Sequence, residues 1–314
     1  MNKIQGLIAA TFSTFHEDGS LNLAQIPAIV DRLVEDGLKG IFICGTNGEG
    51  PNLTVAERMA VAEAYMASAK GRLLVFVHVG HTSIAECRAL AAHAEQIGAD
   101  AVSAVAAFYF KPANVANLVA SMAQIAAAAP NTPFYYYHIP ALTGVGMDML
   151  EFLQLGEQQI PSLAGIKYTA ATIHEYQACL NYKGGKFDVL YGYDELLLPA
   201  LAVGARGAVG STYNFAAPMY LRVMALFGSG QLDEARQLQL LLVNMIREMV
   251  KFSPIPAQKA IMEMLGFDLG PTRLPLVPLT AQDKVQLRQQ LEVIGFFEAL
   301  KGIRFAGSFP SVSG

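Results

Sequence analysis

Eight short apolar runs recur along the chain, separated by segments with helical periodicity. The runs are GLIAATF (6–12), GIFICG (40–45), LLVFVHV (73–79), DAVSAVA (100–106), PFYYYH (133–138), LAGIKYT (163–169), FDVLYG (187–192) and RGAVGS (206–211). Runs this uniformly apolar read as strands covered on both faces, as parallel strands are. Segments such as NLAQIPAIVDRLVEDG (22–37) and SIAECRALAAHAEQIGA (83–99) repeat apolar residues at i, i+3 and i+4 and carry Gly at their ends, which predicts helices. Eight such alternations over about 210 residues predict an α/β fold, a (β/α)8 TIM barrel, whose usual size is about 250 residues. The alternative, a doubly wound open sheet, would want a GxGxxG turn after its first strand. Here that strand runs into the polar turn STFHEDGS (13–20).

Three helical stretches follow the eighth run: 218–252, 255–267 and 281–302. A barrel needs one helix after its last strand, so the remainder predicts appended C-terminal α-helices. The expected organisation is a barrel over 1–225, a helical extension over 226–304 and a frayed tail, FAGSFPSVSG, over 305–314. The Met and Leu stripes after residue 218 read as core or subunit interface.

Composition narrows the partners. Of 314 residues, 53% are hydrophobic and 15% charged, so much of the chain is buried in a core or in interfaces. The net charge of −4 includes no basic run, which argues against nucleic acid and anionic membrane. No apolar stretch reaches the roughly 20 residues of a membrane span, and the N-terminus lacks a cleavable signal pattern. Cys44, Cys87 and Cys179 are odd in number and lack CxxC spacing, which suits a reduced, cytoplasmic protein.

Polar residues gather where the strands end, the end at which barrels carry chemistry. They include GTNGEG (45–50), HVGH (78–81), FYFK (108–111), YYYH (135–138), GYDE (192–195) and GST (210–212). Lys167 sits in the sixth strand, where an ammonium group is costly. Desolvation would lower its pKa and make it a nucleophile toward a carbonyl. Tyr137 is placed to move protons, and GTNGEG offers backbone amides with Thr46 and Asn47 as donors to a carboxylate. Plainer readings stand beside these. Lys167 can pair with a buried carboxylate such as Glu49 or Asp194, GTNGEG can be an ordinary βα turn, and YYYH simply an aromatic strand. Only one of Asp194 and Glu195 need face a pocket, the other capping or facing solvent. His78 and His81 can be metal ligands, although no third ligand stands at a recognisable spacing.

GTNGEG, YYYHIPALTG (135–144), GIKYT (165–169) and GYDE with GAVGSTYN (192–214) occur in an order that resembles the pyruvate-dependent class I aldolases. That superfamily includes N-acetylneuraminate lyase and dihydrodipicolinate synthase. The resemblance runs from about residue 5 to residue 300, with HIPALTGV and GAVGSTYN most similar to the N-acetylneuraminate lyase branch. It implies cleavage of N-acetylneuraminate to N-acetylmannosamine and pyruvate, a keto-acid substrate, no cofactor and no metal, and a homotetramer. Lys167 would form the Schiff base and Tyr137 would carry the proton of the substrate hydroxyl. Thr46 and Asn47 would hold the pyruvate carboxylate, and Tyr109 would enter a neighbouring subunit's site. Thr169, Gly192, Asp194, Glu195, Gly210 and Ser211 would meet the sugar's hydroxyl tail.

Leu142 stands where the synthase branch has an arginine for a second carboxylate, so a polyhydroxylated substrate fits better. Two positions depart from the family. Asn47 replaces a Ser or Thr; its amide can donate to a carboxylate but has no hydroxyl to relay a proton. Tyr168 is large, though strand alternation turns it away from Lys167. Other readings are a 2-keto-3-deoxy sugar acid aldolase, a synthase-like enzyme, and a non-catalytic barrel that binds pyruvate or a sugar.

Overall fold

The computed structural model describes residues 3–305. Eight parallel strands close into a barrel in sequence order, each pairing with the next and the last with the first. They are β1 (Gly6–Ala10), β2 (Gly40–Ile43), β3 (Leu74–His78), β4 (Ala101–Val105), β5 (Phe134–His138), β6 (Leu163–Tyr168), β7 (Asp188–Tyr191) and β8 (Gly207–Gly210). Each falls within its predicted run, and all but β5, which reaches the end of its run at His138, stop one or two residues short. Those trailing residues form the loops at the barrel mouth.

Alternation along the strands builds two cores. Ile8, Phe42, Phe76, Tyr135, Leu190 and Val209 point inward and fill the barrel. Ile41, Val75, Tyr136, Ile166, Val189 and Ala208 point outward and meet the ring of helices. The strands read as unbroken apolar runs because both faces are buried.

The expected C-terminal helices are present. The stretch 218–252 divides into Tyr213–Gly228 and Leu232–Met249, and 281–302 divides into Ala281–Val293 and Phe296–Phe305. Helix Tyr213–Gly228 runs through the expected domain boundary at residue 225 without a break. Of the expected tail, Phe305 ends the last helix and 306–314 lie outside the described residues. Among the described residues no helix is long and apolar enough to cross a membrane.

One buried ion pair ties the helical extension to the barrel mouth. Glu49, in the loop after β2, lies 3.0 Å from the ammonium of Lys259 on helix Pro254–Met264, with side-chain exposures of 0% and 5%. The Arg273 backbone N–H donates to the other Glu49 oxygen at 2.9 Å, and Lys259 donates to the Pro271 carbonyl at 2.9 Å. Phe15 lies under both cations, each 4.5 Å from its ring centre. Removing one partner strands a desolvated charge. Lys259→Met should therefore lower unfolding stability by about 3–5 kcal/mol in urea titrations; a loss below about 1 kcal/mol would mean that the carboxylate is served by Arg273 alone.

Candidate active site

The registers of β5 and β6 set Tyr137 directly beside Lys167. Period-two alternation turns both inward, with His78 at the end of β3 on the same side. Tyr168 is turned the opposite way, as expected, and its hydroxyl bonds Thr172 and Glu175 outside the barrel. A cavity of about 260 Å3 at the mouth gathers Thr46, Asn47, Tyr137, Lys167, Thr169, Gly192, Asp194, Glu195 and Ser211. Nine of the residues named from sequence thus meet in one space.

Lys167 is 4% exposed, and no carboxylate among the described residues lies within ion-pair distance of it. The plainer reading of a structural pair does not hold: Glu49 is paired with Lys259, and Asp194 is held by Thr212. The Lys167 ammonium nitrogen instead sits 3.8 Å from the ring centre of Phe42 and 3.9 Å from that of Tyr137. Aromatic faces soften the loss of water but do not replace a counter-ion. Burial lowers the Lys167 pKa to about 7, with Asp194 at longer range opposing the shift. About half of it is then neutral at pH 7.

Tyr137 is its complement. Burial pushes the phenol up to about 12, so it stays protonated, while the hydroxyls of Thr46 and Thr169 pull the other way. The Thr169 hydroxyl is buried without a hydrogen-bond partner among the described residues, and the residue lines the cavity. His78 closes the wall: its ring packs edge-on to Tyr137, and its Nδ1 lies 3.1 Å from the Cys44 carbonyl. The same Nδ1 lies 3.4 Å from Arg58 Nη2, so a carbonyl and a guanidinium both meet that nitrogen. His81 has turned to its own loop, accepting from the Ser83 backbone at 3.0 Å. Among the described residues no three His, Cys, Asp or Glu side chains converge as a metal site.

The adjacent carboxylates divide their labour. Asp194 is buried and accepts from the Thr212 backbone at 2.8 Å, the Thr212 hydroxyl at 2.7 Å and, more weakly, Ser211 at 3.5 Å. Glu195 lines the cavity, its carboxylate met by no other described residue's hydrogen bond, and burial raises its pKa against the pull of its own backbone N–H. Two glycines make this packing possible. A Cβ on Gly210 would meet an Asp194 carboxylate oxygen at 2.0 Å, and one on Gly192 would meet the Thr169 hydroxyl at 2.0 Å. Gly210 therefore serves the site by shape and does not line the cavity.

Asn47 requires a correction. Its Nδ2 donates to the Ala10 carbonyl at 3.0 Å and to Gln258 Oε1 at 3.1 Å, so both amide hydrogens are committed and none is left for a carboxylate. The backbone N–H groups of Thr46 and Asn47 donate to no described residue and remain available. Tyr109 is 77% exposed, stacks edge-on against Phe110 and stands outside the cavity of its own chain. Sequence reasoning missed the residues that reach in from the C-terminal helices. Gln239 donates to the carbonyls of Asp194 and Glu195 at 3.3 and 3.2 Å, while Gln258 joins Asn47. A lone glutamine in a helical stripe carries no signal of such a role.

A protein-family model described as the dihydrodipicolinate synthetase family matches residues 3–294. The chain belongs to that family. Among its relatives, N-acetylneuraminate lyase of Xenopus tropicalis is 42% identical over 286 residues, covering 90% of this chain and 93% of that one. The solved structure of the sialic acid aldolase from Aliivibrio salmonicida superposes with a TM-score of 0.92 at 41% identity, covering 94% of this chain and 98% of that one. Proteus mirabilis N-acetylneuraminate lyase gives 0.91 at 39% identity, with 94% and 100% covered. The barrel with C-terminal helices is the architecture of this family.

A neutral amine beside a protonated phenol, with a free carboxylate opposite, can add to a carbonyl and carry protons about it. The rate of modification of Lys167 by a small amine-selective acylating reagent, followed by peptide mass spectrometry, should rise to half its maximum near pH 7. A midpoint near the ordinary 10.4 would mean that the amine is not desolvated in solution. Gly210→Ala should displace Asp194 and weaken binding of a polyhydroxylated ligand about tenfold, the scale of one lost hydrogen bond; unchanged affinity by calorimetry would remove Asp194 from the ligand's end of the site.

Proposed function

We propose that the chain is a Schiff-base lyase that cleaves N-acetylneuraminate to N-acetylmannosamine and pyruvate. The observation that carries this reading is the unpaired, desolvated Lys167 beside Tyr137, in a chain about 40% identical to proteins of that name. The Lys167 amine adds to the C2 ketone of the open-chain sugar acid, and loss of water gives an imine, protonated on nitrogen. That cation accepts the electron pair of the C3–C4 bond as the C4 hydroxyl loses its proton. The aldehyde leaves, the resulting enamine takes a proton at C3, and water releases pyruvate and the free lysine.

A phenol near pKa 12 cannot wait as phenolate. Tyr137 therefore accepts the C4 proton only as it passes its own onward, with the neighbouring Thr46 hydroxyl relaying it, and the proton so released balances the one that the enamine takes up at C3. In a homotetramer, Tyr109 of a neighbouring subunit would extend this relay; the exposure of Phe108, Tyr109 and Phe110 supports a contact there. The Thr46–Asn47 backbone would hold the keto-acid carboxylate. Glu195 and Thr169 would take the hydroxyl tail, with Gly192 and Ser211 shaping that end and Asp194 keeping it in place. The ligand is a small keto acid, the chemistry needs neither metal nor organic cofactor, and the buried thiols suit the cytoplasm.

Borohydride added with pyruvate should leave a reduced adduct on Lys167, seen by peptide mass spectrometry. Its absence would overturn the Schiff-base reading. Pyruvate release should be faster from N-acetylneuraminate than from 2-keto-3-deoxygluconate; the reverse order would make the chain a deoxy sugar acid aldolase. Lys167→Ala should abolish turnover, and Tyr137→Phe should slow it about 10²–10⁴-fold while leaving the adduct detectable. Normal turnover by Tyr137→Phe would remove that residue from proton transfer.

A further inference from the structure

The commitment of Asn47 leaves a gap in the carboxylate end of the site, and the residue that commits it is placed to fill the gap. The Ala10 carbonyl can only accept, so the atom of Asn47 that faces it is Nδ2. The same nitrogen faces Gln258 at 3.1 Å, so Gln258 must present its own oxygen there. With Oε1 fixed, the Gln258 Nε2 is turned to the other side of the amide. Its two hydrogens have no acceptor among the described residues, and Gln258 lines the cavity that holds Lys167 and Thr46. Gln258 is only 4% exposed, and it lines the cavity that a ligand would enter. The side chain is also rigidly delivered, because the adjacent Lys259 locks helix Pro254–Met264 to the same loop through Glu49.

We infer that Gln258, from the helical extension, is a substrate-binding residue whose Nε2 donates a hydrogen bond to the carboxylate of the keto acid. The inference rests on the Schiff-base reading of Lys167. The carboxylate is the part of the substrate concerned because Gln258 is bonded to the Thr46–Asn47 loop, whereas Asp194 and Glu195 mark the other end of the cavity. Asn47 and Gln258 act as a pair: the first spends both hydrogens on orienting, and the second supplies the donor.

Gln258→Glu separates this role from a structural one, because a carboxylate still accepts from Asn47 but offers no donor to an anion. The experiment is borohydride trapping on the full chain over a range of pyruvate concentrations, with hydroxyacetone as a ketone that lacks the carboxylate. Half-saturation by pyruvate should rise about 10- to 100-fold, the size of one charge-assisted hydrogen bond. In Gln258→Met, which brings no charge into the cavity of Lys167, the trapping rate at saturation and the response to hydroxyacetone should stay within about threefold of the unsubstituted protein, well under one such bond. Gln258→Met, uncharged and of similar length, should weaken pyruvate in the same direction and guards against a folding failure of the first variant. Trapping with an unchanged pyruvate dependence in both variants overturns this inference alone, as does an equal loss for pyruvate and hydroxyacetone. No adduct in the unsubstituted protein overturns the Schiff-base reading and this inference with it.

Discussion

An amine without a counter-ion is the constraint from which the site is built. Lys167 projects into a barrel whose inner wall is aromatic, and its nitrogen lies over the faces of Phe42 and Tyr137. The buried acids of the mouth are occupied elsewhere. Glu49 is neutralised by Lys259, and Asp194 is held through its Oδ2 by Thr212 and Ser211. Had either approached Lys167 within ion-pair range, the charged form would have been favoured and the nucleophile lost. Hydrogen bonds that look merely structural thus keep charges away from one nitrogen.

The helical extension is the second part of that arrangement. Three of its side chains reach the strand ends: Lys259 takes Glu49, Gln239 takes the carbonyls of Asp194 and Glu195, and Gln258 takes Asn47. Each binds a loop that carries a polar group of the cavity. A barrel supplies a rigid floor, but loops at its mouth need an outside brace to hold donors and acceptors in place. Helices Leu232–Met249 and Pro254–Met264 are that brace, and their residues are walls of the cavity as well.

Polar groups in the mouth sort by whether the protein has already used them. Asp194 Oδ2 and the Asn47 amide hydrogens are spent on the protein itself. Glu195, the Thr169 hydroxyl, the Gln258 Nε2 and the Thr46–Asn47 backbone amides are not. This division, and not the mere presence of polar residues, marks where a ligand is met. It also assigns the adjacent pair Asp194 and Glu195 opposite duties, one structural and one open to a substrate.

The sequence by itself determined the barrel, because strands buried on both faces must be apolar throughout and helices buried on one side must repeat every three or four residues. It also singled out Lys167 and Tyr137, since an ionisable or phenolic group at the end of an apolar strand stands out against that background. It could not say which polar neighbour spends its hydrogen bonds on the fold. The amide of Asn47, the pairing of Glu49 and the reach of Gln239 and Gln258 depend on contacts between segments far apart in the chain. Only the tertiary structure decided those, because a side chain's free valence is a property of what packs against it.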